Sequence, residues 1–365
     1  MLLQELTDFL ESMAPLSLQE GYDNAGLITG DPRQEISKAL ISLDCTEAVI
    51  EEAITEGAQL VISHHPILFR GLKKLTDSTY VERTILNAIR NNIAIYAIHT
   101  NLDHVPGGVN AKICEKLGLQ RPRILSPKTG MLRKLVTFCP HSHAEALRTA
   151  LFSAGAGHIG DYDRCSYNSE GYGTFRAGPG STPFAGEAGG GQHQEPETRI
   201  ETIYPVYLER SILAALQRAH PYEEPAYDIH PLANAWNQAG AGMIGELPEE
   251  IPLLQFLQEV KEKMKAGCIR YTRALPSPVQ RVAVCGGAGG FLLPDAIRAG
   301  AQVFVTADYK YHEFFDAEDK IVIADIGHYE SEQFTGELLR ENISKQFPNF
   351  AALLTKVNTN PVNYL

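Results

Sequence analysis

Short apolar runs alternate with helical periods in this chain, and that alternation limits its fold more than any other feature. Residues 38–43 (KALISL) read as a buried strand. Residues 46–57 (TEAVIEEAITEG) follow, with Thr46 as a helix cap, Val49, Ile50, Ala53 and Ile54 on one face and Gly57 as the stop. Residues 58–63 (AQLVIS) form the next strand and run straight into His64-His65-Pro66. A strand, a helix and a strand at this spacing make a βαβ unit, because parallel strands need a crossover of this length. The pattern repeats with the helix at 79–92, the strand at 93–98 (IAIYAI) ending in His99-Thr100-Asn101-Leu102-Asp103, and the helix at 109–118. It returns after residue 250, with a strand entering a glycine turn over 279–291 (VQRVAVCGGAGGF), strands at 301–308 and 320–327 and a helix at 330–344. The expected class is α/β, with parallel-rich sheets.

The middle of the chain breaks the rhythm. Residues 134–139 read as a strand, 143–156 as a helix, 165–175 and 198–207 as strands, 211–220 as a helix and 225–232 as a strand. That βαββαβ order is the split ferredoxin-like arrangement. Its central hairpin carries a Gly, Pro and Ser-dense segment at 178–191, longer than a packed core needs. Three parts are therefore expected: an α/β lobe over 1–130, a ferredoxin-like insertion over 131–232 and a second α/β lobe over 233–365. A length of 365 residues suits such a division.

Some functional classes are set aside by composition. A net charge of −12 and the lack of a basic stripe argue against nucleic-acid binding. No apolar run approaches the ~20 residues of a membrane span. The amino-terminal MLLQELTDFLESM is acidic and helical in period, unlike a secretion signal. Six scattered cysteines without a CxxC pair read as reduced thiols of a cytoplasmic protein.

Ligands of open α/β sheets collect beyond the carboxyl ends of the strands. Three of those ends carry metal-ligand residue types: His64 and His65, then His99 and Asp103, then His328 and Glu332. His328 and Glu332 are four apart at a helix start and can share one face. A carboxylate such as Glu332 can span two cations, which an imidazole nitrogen cannot. Plainer readings exist for each residue alone: Asp103 as a turn residue, Glu332 as an answer to the helix dipole. Their joint occurrence at strand ends favours a two-metal site. Imidazole and carboxylate without thiolate suit two divalent ions such as Zn²⁺, Mn²⁺ or Fe²⁺. His141, His143, His158 and His193 read as surface or loop residues of the insertion, and His220 and His230 as turn-related. The glycine run 286–290 reads either as a phosphate cradle or as a tight strand-to-helix turn.

The blocks SHHPILFRGLKKL, AIHTNLDHVPGGVNAKI, CGGAGGF, TADYKYHEF and DIGHYESE, with an early DNAGLITGD, resemble the Nif-three-like family, also labelled GTP cyclohydrolase type 2 homologue. The resemblance covers both α/β parts. It implies a dinuclear metal centre held by His64, His65, Asp103, His328 and Glu332, with His99 beside it as a further ligand or proton carrier. His312 falls at the position of an adjacent family histidine and is a second candidate proton carrier. One departure is Thr306-Ala307-Asp308, where the family often has Thr-Gly-Asp. HPYEEPAYDIHPL and the βαββαβ order are similar to the CutA and PII-like insert of longer bacterial members, which implies a homohexamer. The leading expectation is a metal-dependent hydrolase of a nucleotide-like or phosphorylated small molecule. The alternatives are a non-enzymatic metal-handling or regulatory hexamer, and a protein-interaction adaptor.

Overall fold

Local chemistry sets the helix boundaries. Thr46 accepts the Val49 amide, and Gly57 adopts the left-handed conformation that closes the helix Glu47–Glu56. Thr79 caps Tyr80–Arg90 in the same way, and left-handed Gly118 ends Val109–Leu117. The amino-terminal helix Leu3–Met13 buries Leu3, Leu6 and Leu10 completely along one face. The computed structural model describes residues 1–273 and 278–365.

One sheet orders its strands Gly26–Thr29, Ala94–Ala97, Leu60–Ser63, Lys38–Ser42 and Ala351–Leu354. All neighbours are parallel except Gly26–Thr29, which runs antiparallel to Ala94–Ala97. The central strands are buried on both faces, which is why they read as unbroken apolar runs. Each buried Val, Ile or Leu there contributes about 1.5–3 kcal/mol. A second sheet orders Arg270–Tyr271, Val322–Asp325, Val303–Ala307, Val279–Ala288, Trp236–Ile251 and Gln120–Lys128. Its central three strands are parallel. The two α/β parts exchange edges. Ala351–Leu354 pairs with Lys38–Ser42 in the first sheet, while Gln120–Lys128 lies in the second. That exchange crosses the expected division at residue 130.

Register aligns the strand ends. Ser42 pairs with Ser63, and Ser63 with Ala97, so the residues that follow leave the first sheet at one level. In the second sheet Val305 pairs with Ala324 and Thr306 with Asp325, so Asp308 and His328 also emerge together. Hydrophobic clusters hold the two sheets, one around Leu40, Ile50, Val61 and Ile95, the other around Ala283, Leu292, Phe304 and Ile323.

Two compact units result: residues 1–127 with 238–365, and residues 128–237. The second unit has the element order strand, helix, strand, strand, helix, strand. Its sheet orders Tyr167–Phe175, His193–Pro205, Leu132–Pro140 and Tyr227–Leu232, all antiparallel. Leu147, Leu151, Ile212 and Leu216 from its two helices pack on Leu135, Cys139, Ile200 and Tyr204 of the strands. Among the described residues, no helix is long and apolar enough to cross a membrane.

Candidate metal centre

Strand ends of both sheets deliver ligand-type side chains to one place. Leu60–Ser63 carries His64 and His65, Ala94–Ala97 is followed by His99 and Asp103, and Val322–Asp325 leads to His328 and Glu332. His65 Nε2 lies 3.0 Å from Glu332 Oε2 and 3.2 Å from His328 Nε2. His328 Nε2 is 3.1 Å from the same Glu332 oxygen. Two ligand atoms about 2.0–2.1 Å from one tetrahedral ion sit roughly 3.3 Å apart, so these three atoms have the spacing of one coordination shell. A second set faces the other carboxylate oxygen. His64 Nε2 lies 3.8 Å from Glu332 Oε1 and 3.7 Å from Asp103 Oδ1. His64 Nε2 and Asp103 Oδ1 are fully buried and have no hydrogen-bond partner. Orphaned buried groups of this kind cost free energy unless something satisfies them, and a cation between them would do so.

Each imidazole is held from behind, which fixes its tautomer. His64 Nδ1–H donates to the Ile98 carbonyl at 2.8 Å. His65 donates to Asp44 at 2.7 Å, and His328 to Asp308 at 2.7 Å. Their Nε2 atoms therefore face the cluster, the arrangement that orients metal-ligating histidines. His99 donates to Asp23 at 2.8 Å, and its ring lies 5.3 Å from those of both His64 and His65. Asp23 also accepts the Thr100 amide at 3.0 Å and the Thr100 hydroxyl.

Charge follows geometry. Burial raises the cost of ionising Glu332, yet His328, His64 and His65 hold its carboxyl well below the usual range. Burial, reinforced by Glu332, pushes the Asp103 carboxyl up. Burial opposes a charge on His65, but Asp44 and Glu332 outweigh it and push its pKa up to about 9. Asp308 and Glu332 likewise overcome burial at His328 and take it to about 11. Against burial, His99 and Thr100 keep Asp23 down at about 2. Cys285 lines the same cavity, where burial, then Asp103 and Glu332, raise its thiol far above the usual range. The groups whose ligand atoms converge are imidazoles and carboxylates, a set of the kind that holds divalent ions such as Zn²⁺, Mn²⁺ or Fe²⁺.

The glycine run is a turn, and three of its amides are taken. Gly286 N–H donates to Asn110 at 3.0 Å, Gly287 to Ser331 at 2.9 Å and Gly289 to Thr306 at 3.0 Å. Gly287 has φ +61°, and a Cβ there would lie 2.5 Å from Glu332 Oε1. Glycine is what lets this turn approach the carboxylate.

His64, His65, His99, Asp103, His328 and Glu332 all come together. His312 does not. It stands exposed on the short helix Tyr311–Ala317, edge-on to Tyr311 at 5.2 Å, and is absent from the cavity lining. The short helix turns it outward, and Asp308 is the residue of that segment that reaches the cluster. Asp23, Asp44 and Asp308 were not singled out from the sequence as partners of the histidines. Their signal was faint but present: Asp44 and Asp308 each stand just beyond a strand end, and Asp23 opens the block DNAGLITGD. His104 was also passed over; it is buried, donates Nδ1–H to Leu18 at 3.0 Å and faces Glu20 at 3.2 Å.

The family model described as Duf34/NIF3 (NGG1p interacting factor 3) matches residues 1–361. A protein of Halalkalibacterium halodurans named "GTP cyclohydrolase 1 type 2 homolog" is 39% identical over 99% of this chain and 98% of its own length. A Bacillus subtilis protein of the same name is 35% identical over the same shares. The crystal structure of a Bacillus cereus protein related to NIF3 superposes with a TM-score of 0.86 at 39% identity, covering 100% of this chain and 99% of that one.

Proposed function

This chain belongs to the Duf34/NIF3 family, and from that membership and the cluster's geometry we propose that it is a hydrolase dependent on two divalent ions, acting in the cytoplasm on a nucleotide-like or phosphorylated small molecule. One observation carries the reading: Glu332 turns Oε1 toward His64 and Oε2 toward His65 and His328. A carboxylate shared in this way offsets the repulsion between two close dications. His64, Asp103 and Glu332 Oε1 would hold one ion. His65, His328 and Glu332 Oε2 would hold the other. Bound ions would supply Lewis acidity, neutralising charge on a substrate oxygen and making water reactive near neutral pH.

The chain's own residues do the rest. Asp23 stays ionised and fixes His99 with Nε2 turned to the cavity, where it can take a proton from water and return it to the leaving group. Asp44 and Asp308 keep the His65 and His328 rings in place as ligands. The cavity over the cluster, about 610 Å³, is of small-molecule size. Six free cysteines accord with a reducing compartment.

The test is a turnover screen of protein reconstituted with Zn²⁺, Mn²⁺ or Fe²⁺ against nucleotides, phosphoesters and cyclic amidines. Turnover that disappears in His64→Ala and Glu332→Ala supports the reading. No turnover with any metal, or turnover untouched by both changes, defeats it.

A further inference from the structure

Asp44, Asp103, Glu332 and Glu20 line the cavity, and no Lys or Arg does so among the described residues. Residues 274–277 are Ala-Leu-Pro-Ser and hold no cation either. The amides of Gly286, Gly287 and Gly289 are already bound to Asn110, Ser331 and Thr306. A lysine or arginine clamp, and a nest built from these three glycine amides, are therefore not offered to a phosphate chain by this lining.

Aromatic rings are there instead. Tyr22, Phe69, Tyr80 and Phe291 line the cavity, and each is more than half exposed: 68%, 51%, 60% and 67%. Large apolar rings left in water around a concave site mark a binding surface. Phe69 reaches the reactive end, edge-on to His99 with centroids 5.7 Å apart. A flat ligand lying against these rings would bring its edge toward His99 and the ligand cluster. Such faces bind any planar π-system without needing its charge.

Building on the hydrolase reading, we infer that the cavity recognises a planar heterocyclic ring of nucleobase size, neutral or cationic, through Tyr22, Phe69, Tyr80 and Phe291, and does not recognise a polyphosphate tail. The substrate class is thereby the heterocycle or its nucleoside.

Equilibrium binding of guanosine, guanosine triphosphate and ribose 5-phosphate, each to metal-free and zinc-loaded protein, tests this. Guanosine should bind metal-free protein at least as tightly as the triphosphate does, and ribose 5-phosphate should not compete. Tyr22→Ala and Phe291→Ala should each weaken guanosine about tenfold with zinc content unchanged. Tyr22→Phe, which keeps the ring, should bind like the native chain. The inference is overturned if the triphosphate binds metal-free protein tenfold tighter than guanosine, if neither alanine variant loses affinity, or if guanosine does not bind at all. The two readings fail separately. Guanosine bound through the rings with no turnover of any compound sinks the hydrolase reading alone. Hydrolysis of a non-aromatic phosphoester at full rate in the Tyr22→Ala/Phe291→Ala double variant sinks the ring inference alone.

Discussion

Thr359 donates its hydroxyl to Asp44 Oδ2 at 2.6 Å, joining the carboxyl-terminal segment to the support of His65. The other Asp44 oxygen receives the His65 Nδ1–H at 2.7 Å. The segment is pinned on either side: the Lys356 amide donates to Glu52 at 2.9 Å, and the Asn360 side chain to Glu330 at 3.0 Å. Thr359 thus acts on His65, one of the proposed ligands, through Asp44. Thr359→Val keeps the shape and removes the donor. It should weaken binding of the ion at His65 about tenfold, the lower end of what supporting groups contribute. It should lower folding stability by only about 1 kcal/mol. Chelator competition on the purified variant checks the first, and urea unfolding of the metal-free form checks the second. Unchanged metal affinity would mean that His65 alone positions Asp44.

Glu332→Gln keeps the volume and removes the charge that faces both halves of the cluster. The remaining carboxylate among the proposed ligands, Asp103, stands on the His64 side only. Two dications about 4 Å apart repel too strongly for that single carboxylate to offset. The variant should hold at most one ion per chain by elemental analysis, against the two proposed for the native chain. His158→Ala is the control, since His158 is exposed in the other compact unit and makes only a long 3.4 Å contact to the Gly155 carbonyl. Two ions retained in Glu332→Gln would defeat the shared-carboxylate assignment.

What could be read in the sequence was the part written in period and punctuation. The strand before His64 is apolar up to Ser63 because both its faces are buried, so its end, and with it the His64-His65 pair, was visible. Gly57 and Gly118 marked helix stops because only the left-handed backbone closes them well. The supporting aspartates were hidden because Asp after a strand is usually just a turn residue, and nothing local distinguishes Asp44 from such a case. Asp308 hides a backbone signal too, with a φ of +61° that Ala307-Asp308 does not advertise as a glycine would. Thr359 lies 315 residues from Asp44, and a contact of that separation leaves no periodic trace. His312 was singled out by its motif alone, and the short helix Tyr311–Ala317 places it outside the lining of this cavity.

Removing residues 131–232 and bridging the gap with a short turn should leave a folded, metal-loaded protein. Within the inserted unit the two ends meet, since Leu132 and Leu232 are paired in its sheet. Within the α/β unit the flanking strands Gln120–Lys128 and Trp236–Ile251 are neighbours, and a Cβ on Gly240 would touch the Ser126 carbonyl and Pro127. The cut therefore spans a hairpin-like gap. All six residues of the cluster lie outside it. Circular dichroism and metal content of the shortened protein decide the matter; an insoluble or metal-free product would make the insertion part of the core.

His220 should make the stability of residues 128–237 depend on pH. It is 7% exposed, donates Nε2–H to the Phe138 carbonyl at 2.8 Å and accepts the Tyr222 amide on Nδ1 at 3.0 Å. Protonation would set a second N–H against the Tyr222 N–H. Burial, only partly offset by the Phe138 carbonyl and Glu197, lowers its pKa from the ordinary 6.5. The unfolded chain then binds the proton more readily than the folded one. Stability from the neutral ring is complete above pH ~6.5 and falls as the pH drops through the unfolded value, levelling only below the folded one. His220→Gln also alters the hydrogen bonds at every pH, so the slope is the readout. Urea unfolding of the full chain between pH 7.5 and 5.5, followed by a probe within residues 128–237, should show a steeper loss in the native protein than in the variant. Equal slopes would show that His220 takes up its proton without disturbing the Tyr222 amide.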